Sequence, residues 1–240
     1  KFHNNEQVLL AETISMPYAT RLIEPAAVGI KARKRALPIA AFPGINTTKV
    51  VEKLNNAFPE IVPWEDVLSV GFNNPNPILH VVKYLFNLGR VESPEAFEAD
   101  FHAWGSPTID RIEQKVDSER LMVIQSIGLK CLSIREFHEL CYGELHYKPI
   151  PISKDYKSSL PPSASQAPER FITEDVPMGL VPISDFGKKF GVPTPTADLL
   201  IDIASFIRET DYRKLGRTCE YLGLADMNTN EIKSFLIRGY

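Results

Sequence analysis

Gly71-Phe72-Asn73-Asn74-Pro75-Asn76-Pro77-Ile78-Leu79-His80 is the stretch from which the rest of the chain falls into place. Asn76 suits a helix N-cap and Pro77 the first helical position, where a missing N–H leaves nothing unsatisfied. Gly89 suits the stop at the other end. This reading sets His80 in the first turn of a helix, where unpaired backbone N–H groups and the positive end of the helix dipole disfavour an imidazolium. Lys83, one turn along, acts the same way if it shares that face. A neutral imidazole so placed can serve as a general base or polarise a carbonyl. The plainer alternative is a helix-end histidine satisfied by water or a backbone carbonyl.

A second informative stretch is Arg170-Phe171-Ile172-Thr173-Glu174-Asp175-Val176-Pro177-Met178-Gly179-Leu180-Val181-Pro182. Asp175 can orient a histidine through its ring N–H and stabilise the cation during turnover. Arg170 can hold a substrate carboxylate in a two-pronged hydrogen bond. A solvated loop with a surface ion pair is again the alternative. Asp211-Tyr212-Arg213-Lys214 with Gly216-Arg217 suits a helix-terminal salt-bridge network. His102, His138 and His146 have no matched ligand partners. With no HExxH or CxxC spacing, no metal site is expected. No GxSxG elbow accompanies any serine, which removes the usual hydrolase chemistry.

Outward from these stretches, the chain is helical from about Val67. The spacing predicts a helix from Ser106-Pro107 to Gly128, with Ile109, Ile112, Val116, Val123 and Ile127 on its buried stripe. Ser133 and Glu136 form a capping box for another, stopped by Gly143. Further helices are expected at 184–190, at 196–209, and at 229–238 behind an Asn228/Glu231 box. Upstream, Val8–Ala11 and Arg35–Phe42 are short apolar runs suited to strands, and a helix follows from Asn46-Thr47-Thr48 to about Phe58. The first sixty-odd residues thus resemble the trailing edge of an α/β unit, without a strand–GxGxxG–helix fingerprint. Between Pro149 and Arg170, five prolines and five serines predict a lid or an unstructured segment. There is no internal repeat.

Hydrophobic residues at 44% and charged residues at 24% describe a globular protein able to bury a core. Twenty-seven basic against 30 acidic side chains give a formal charge of −3, too balanced for a nucleic-acid groove or a polybasic membrane anchor. No run of apolar residues is long enough to span a bilayer, and the opening residues lack the apolar core of a signal peptide. Three cysteines, Cys131, Cys141 and Cys219, without metal-ligand spacing fit a reducing cytosol, so a cytoplasmic location is expected. The chain begins with Lys1 and reads as a fragment.

At the two stretches quoted, the sequence closely resembles the octopine/nopaline dehydrogenase family. The resemblance rests on Asn76-Pro77-Ile78-Leu79-His80 continuing to Asn87-Leu88-Gly89-Arg90, and on Thr173-Glu174-Asp175-Val176 continuing through Gly179-Leu180-Val181-Pro182 to Val192-Pro193-Thr194-Pro195. Asp211-Tyr212-Arg213, Gly216-Arg217-Thr218 and Leu222-Gly223-Leu224 match its C-terminal pattern. Ala11-Glu12-Thr13 with Pro17-Tyr18-Ala19-Thr20-Arg21 is similar to its last stretch of nucleotide-binding domain. The likeness runs from about Glu12 to Leu224 and is weak at 91–105 and through the proline-serine segment.

The resemblance implies a mainly α fold: a helical domain like the C-terminal domain of 6-phosphogluconate dehydrogenase at 67–240, preceded at 1–66 by an incomplete Rossmann-type α/β remnant. It implies NAD(P)H-dependent reductive condensation of an α-keto acid with the amino group of an amino acid, giving an opine. His80 falls on the family's catalytic histidine, Asp175 on its aspartate partner, Asn76 on its asparagine one turn earlier, and Arg170 on an arginine five residues before the aspartate. Asn76 and Arg170 would bind substrate. The cofactor is NAD or NADP, yet the Gly-rich half that would hold it is absent from these 240 residues, and the chain alone is expected not to turn over. A hydroxy-acid dehydrogenase of the same fold and a non-catalytic helical interaction module stand as alternatives. Helical domains of this size occur both as monomers and as homodimers.

Overall fold

The computed structural model describes residues 8–93, 101, 104–143 and 169–240. His102, His146 and the proline-serine segment lie outside them. Contacts divide the described residues into two units, one of 8–74, 129–143 and 227–240, the other of 75–93, 101, 104–128 and 169–226.

The first unit is built on β4 (Leu37–Phe42), a strand of Leu-Pro-Ile-Ala-Ala-Phe whose first five residues are all buried. An apolar run without alternation is what a strand covered on both faces requires. β1 (Leu10–Thr13) pairs with it antiparallel, Leu10 opposite Phe42 and Thr13 opposite Ile39. β5 (Ile61–Pro63) pairs on its other edge in parallel, Ile61 opposite Leu37. The result is a small mixed sheet in the order β1-β4-β5. Ile39 and Ala41 pack with Val50 of α1 (Thr47–Leu54) and Ile61. Ala40 joins Leu37, Trp64, Val70, Phe137, Cys141 and Tyr142, the last three from α6 (Ile134–Tyr142).

β2 (Tyr18–Glu24) and β3 (Ala27–Arg33) form a separate antiparallel hairpin that the sequence reading did not anticipate. Its turn is Pro25-Ala26, with Ala26 at a φ of 63° where glycine or asparagine is the usual occupant. Asn73, 1% exposed, closes α2 (Val67–Phe72). Its amide donates to the Ser69 and Lys130 carbonyls, and its oxygen accepts from the Leu132 N–H. α11 (Thr229–Arg238) begins at the Asn228/Glu231 capping box.

The second unit is helical. α3 (Asn76–Phe86) is followed by the short α4 (Leu88–Val91) and by α5 (Pro107–Ile127). Ser106 caps α5 by accepting from the Ile109 N–H, and Gly128 ends it at a left-handed φ of 68°. Ile109, Val116, Val123 and Ile127 are buried as the periodicity predicts, while Ile112 is only partly covered. After α7 (Arg170–Thr173) come a π-helical turn, Val176–Leu180, and then α8 (Val181–Phe190), α9 (Pro195–Ile207) and α10 (Tyr212–Leu215). The helix expected at 184–190 therefore starts earlier, and the stretch expected as a possible solvated loop is helical. The turn is wide, with the Val181 N–H donating to the Val176 carbonyl five residues back, and Pro182 has no N–H to give the Pro177 carbonyl in the same way. The Pro177 carbonyl accepts from the Arg217 N–H instead. Glu119, buried on α5, accepts from the Thr196 and Ala197 N–H groups and so caps α9 from a neighbouring helix.

Candidate active site

α3 starts one residue earlier than the sequence suggests. Pro75 is its cap, with no side-chain capping bond, and Asn76 is already helical. Pro75 has a φ of −79° and a ψ of −13°, close enough to helical for the first turn to form on its carbonyl, which accepts from Ile78 and Leu79. His80 consequently lies at the start of the second turn, one turn after the partly buried Asn76 on the same face.

His80 and Asp175 meet. Nδ1 of His80 lies 2.8 Å from Oδ2 of Asp175, and both residues are at most 9% exposed. They are ninety-five positions apart in the sequence and are brought together by the packing of α3 on the segment 170–180. With Nδ1–H donating to the carboxylate, the neutral ring carries its lone pair on Nε2, the arrangement that lets Nε2 take a proton while the carboxylate balances the resulting cation.

Arg170 is placed differently. It is exposed, its guanidinium 3.9 Å from the Glu174 carboxylate and 5.1 Å from the centre of the Phe171 ring. No described contact brings it to His80 or Asp175. Lys83 has a partner on another helix: its ammonium faces Glu113 at 3.7 Å, and burial outweighs that charge to raise the Glu113 carboxyl above its ordinary value. Asp211 caps α10 and pairs with Lys214, while Arg213 reaches Asp198 and Asp202, a salt-bridge network as the spacing suggests.

Three residues on α3 and the elements packed against it escaped the sequence reading. Phe171 stacks on the His80 ring, centroids 3.9 Å apart and planes 20° from parallel. Arg208 donates to the Tyr84 hydroxyl at 2.6 Å and pairs with Glu169 at 3.1 Å, tying α3 to the start of α7. Phe171 is four residues before Asp175 and Tyr84 four after His80, so same-face spacing could have found both; Arg208 leaves no local signal.

The strand–turn–helix after β4 is the place to test for a dinucleotide. Its one glycine, Gly44, has its open side filled: a β-carbon there would overlap the Glu65 carbonyl oxygen and touch Ile237. A turn closed by its own chain does not cradle a pyrophosphate, which needs backbone N–H groups open to the ligand. This turn thus does not fit the phosphate end of NAD or NADP. Among them, no group of three or more His, Cys, Asp or Glu could hold a metal ion, and no helix is long and apolar enough to cross a membrane.

The second unit thus buries an imidazole against a carboxylate. The family described as NAD/NADP octopine/nopaline dehydrogenase, alpha-helical domain, matches residues 63–208. An opine dehydrogenase of Arthrobacter sp. (strain 1C) is 32% identical over 232 residues, and a vitopine synthase of Allorhizobium ampelinum 24% identical over 235. These alignments cover 95% and 96% of this chain but 64% of each relative. An octopine dehydrogenase solved with NADH and L-arginine superposes with a TM-score of 0.64 at 17% identity, covering 95% of this chain and 64% of that one. A yersinopine dehydrogenase with NADP+ bound gives 0.60 at 14% identity, covering 96% and 65%. The chain belongs to the octopine/nopaline dehydrogenase family and spans less than two thirds of the length of these relatives.

Proposed function

We propose that the protein is an NAD(P)H-dependent opine dehydrogenase, joining an α-keto acid to the amino group of an amino acid by reductive condensation, and that residues 67–240 supply its substrate and proton-transfer side. The observation that carries this reading is the buried 2.8 Å contact between His80 Nδ1 and Asp175 Oδ2 inside the family-matched residues. Residues 1–66, on this reading, continue a nucleotide-binding domain.

Addition of an amine to a ketone and loss of water both need protons moved at the same oxygen and nitrogen. Two protons pass from nitrogen to oxygen: His80 Nε2 takes one from the adding amine and gives it to the alkoxide, making the carbinolamine, then relays the second from nitrogen to the hydroxyl as it leaves as water, while Asp175 balances the imidazolium each time. Asn76, one turn before, orients the substrate. Arg170, exposed and held by the 3.9 Å contact to Glu174, is available to a substrate carboxylate in exchange for that weak surface pair.

The test is NADH or NADPH oxidation by the complete protein with an α-keto acid such as pyruvate, with and without amino acids. Turnover that requires the amine supports the proposal; equal turnover without it assigns a hydroxy-acid dehydrogenase. His80→Ala should lower kcat by about a hundredfold or more, the scale of a lost general acid–base group. A variant within a few-fold of wild type removes His80 from the chemistry.

A further inference from the structure

Histidine χ2 is a broad torsion, so an edge-on hydrogen bond at Nδ1 constrains rotation of the ring about its Cβ–Cγ bond only loosely, and a contact on the face of the ring constrains it further. Phe171 makes that contact at 3.9 Å and 20°, and it is itself 2% exposed. Phe101, fully buried, backs it with its ring centre 5.0 Å away. Because Phe171 and Asp175 are four residues apart, one short stretch of chain grips His80 on its face and at its edge.

We propose that Phe171 is a positioning residue that sets the plane of the His80 imidazole and thereby the direction in which Nε2 points. The kinetic consequence rests on the proposed function; the geometric one does not. An aromatic that merely fills the core would affect stability alone, whereas a positioning ring also leaves a signature on the histidine.

The experiment uses the complete protein with 13C,15N-labelled histidine, as wild type, Phe171→Leu, Phe171→Tyr and Phe101→Leu. In wild type, the His80 ring protons should show NOEs to the Phe171 ring and an upfield ring-current shift. Phe171→Leu should abolish both and broaden the Nδ1–H resonance; Phe171→Tyr should restore them; Phe101→Leu, which removes similar core bulk, should leave them in place. With substrates, Phe171→Leu should lower kcat about tenfold, short of the hundredfold a 1 Å misplacement can cost, with KM within about twofold of wild type. Missing NOEs in wild type overturn the proposal even if no variant folds, as does a His80 spectrum that Phe171→Leu and Phe101→Leu change equally. The NMR signature without opine formation upholds the positioning role and discards the proposed reaction.

Discussion

Pro77 fills the space beside Gly179 so completely that a β-carbon on the glycine would overlap Cγ and Cβ of the proline ring. The contact locks the first turn of α3 to the π-helical turn that follows Asp175, and so sets how closely His80 and Asp175 approach. Gly179→Ala should cost about 1–3 kcal/mol, the usual penalty of overpacking. Chemical denaturation measures that loss. In the complete protein, kcat should fall as well at temperatures where the variant is fully folded, because relieving the overlap pushes α3 and the π-helical turn apart and disturbs the approach of His80 to Asp175.

Asp175→Asn keeps an oxygen able to accept from Nδ1–H but removes the charge that balances an imidazolium. The expected loss in kcat is between about tenfold and a hundredfold, smaller than for His80→Ala. Steady-state kinetics of both variants under one set of conditions decides the order. An Asp175→Asn enzyme as active as wild type would detach the carboxylate from the proton transfer.

Acid stability should depend on Glu60. The Arg33 guanidinium donates to its carboxylate at 2.8 Å and holds the carboxyl below the ordinary value of 4.5 against the opposing pull of burial. A folded value below the unfolded one means that the stabilisation is complete above the unfolded value and disappears as pH falls through the folded one. Glu60→Gln should therefore be less stable than wild type at neutral pH, and the gap should close in acid. Urea unfolding at the two pH values reads it directly.

Thiol reactivity should separate the cysteines. Burial pushes Cys141 up to about 11 and Cys219, which also lies beside Asp185, up to about 12. Both are buried, whereas Cys131 is partly exposed. Brief alkylation of the native protein at neutral pH, followed by peptide mass analysis, should find label on Cys131 and on the other two only after denaturation.

Helix ends were the most legible part of this sequence, because a cap is a local bond between residues three apart. Ser106 with Gly128, Ser133 with Glu136, and Asn228 with Glu231 each act where the sequence suggests. The hairpin of β2 and β3 was hidden because its left-handed turn position is Ala26, not glycine or asparagine. Asn73 stood in the first stretch quoted, yet its role depends on carbonyl and amide groups 57 and 59 residues away, which no local pattern records. His80 and Asp175 became a pair only through family likeness, and the partner of Lys83, Glu113, left no local signal because it sits on another helix. Arg170 lies on the surface because the segment expected as a loop winds into a helical turn that points it outward.

The four-residue interval from Phe171 to Asp175 makes the length of this segment matter more than most of its letters. One residue inserted or deleted there would rotate one of the two side chains by about 100° relative to the other, freeing either the ring face or the ring edge of His80. Substitutions at Ile172, Thr173 or Glu174 leave that angular relation intact. Viable sequence drift at this spot should thus proceed by exchange of side chains and hardly ever by a change in length.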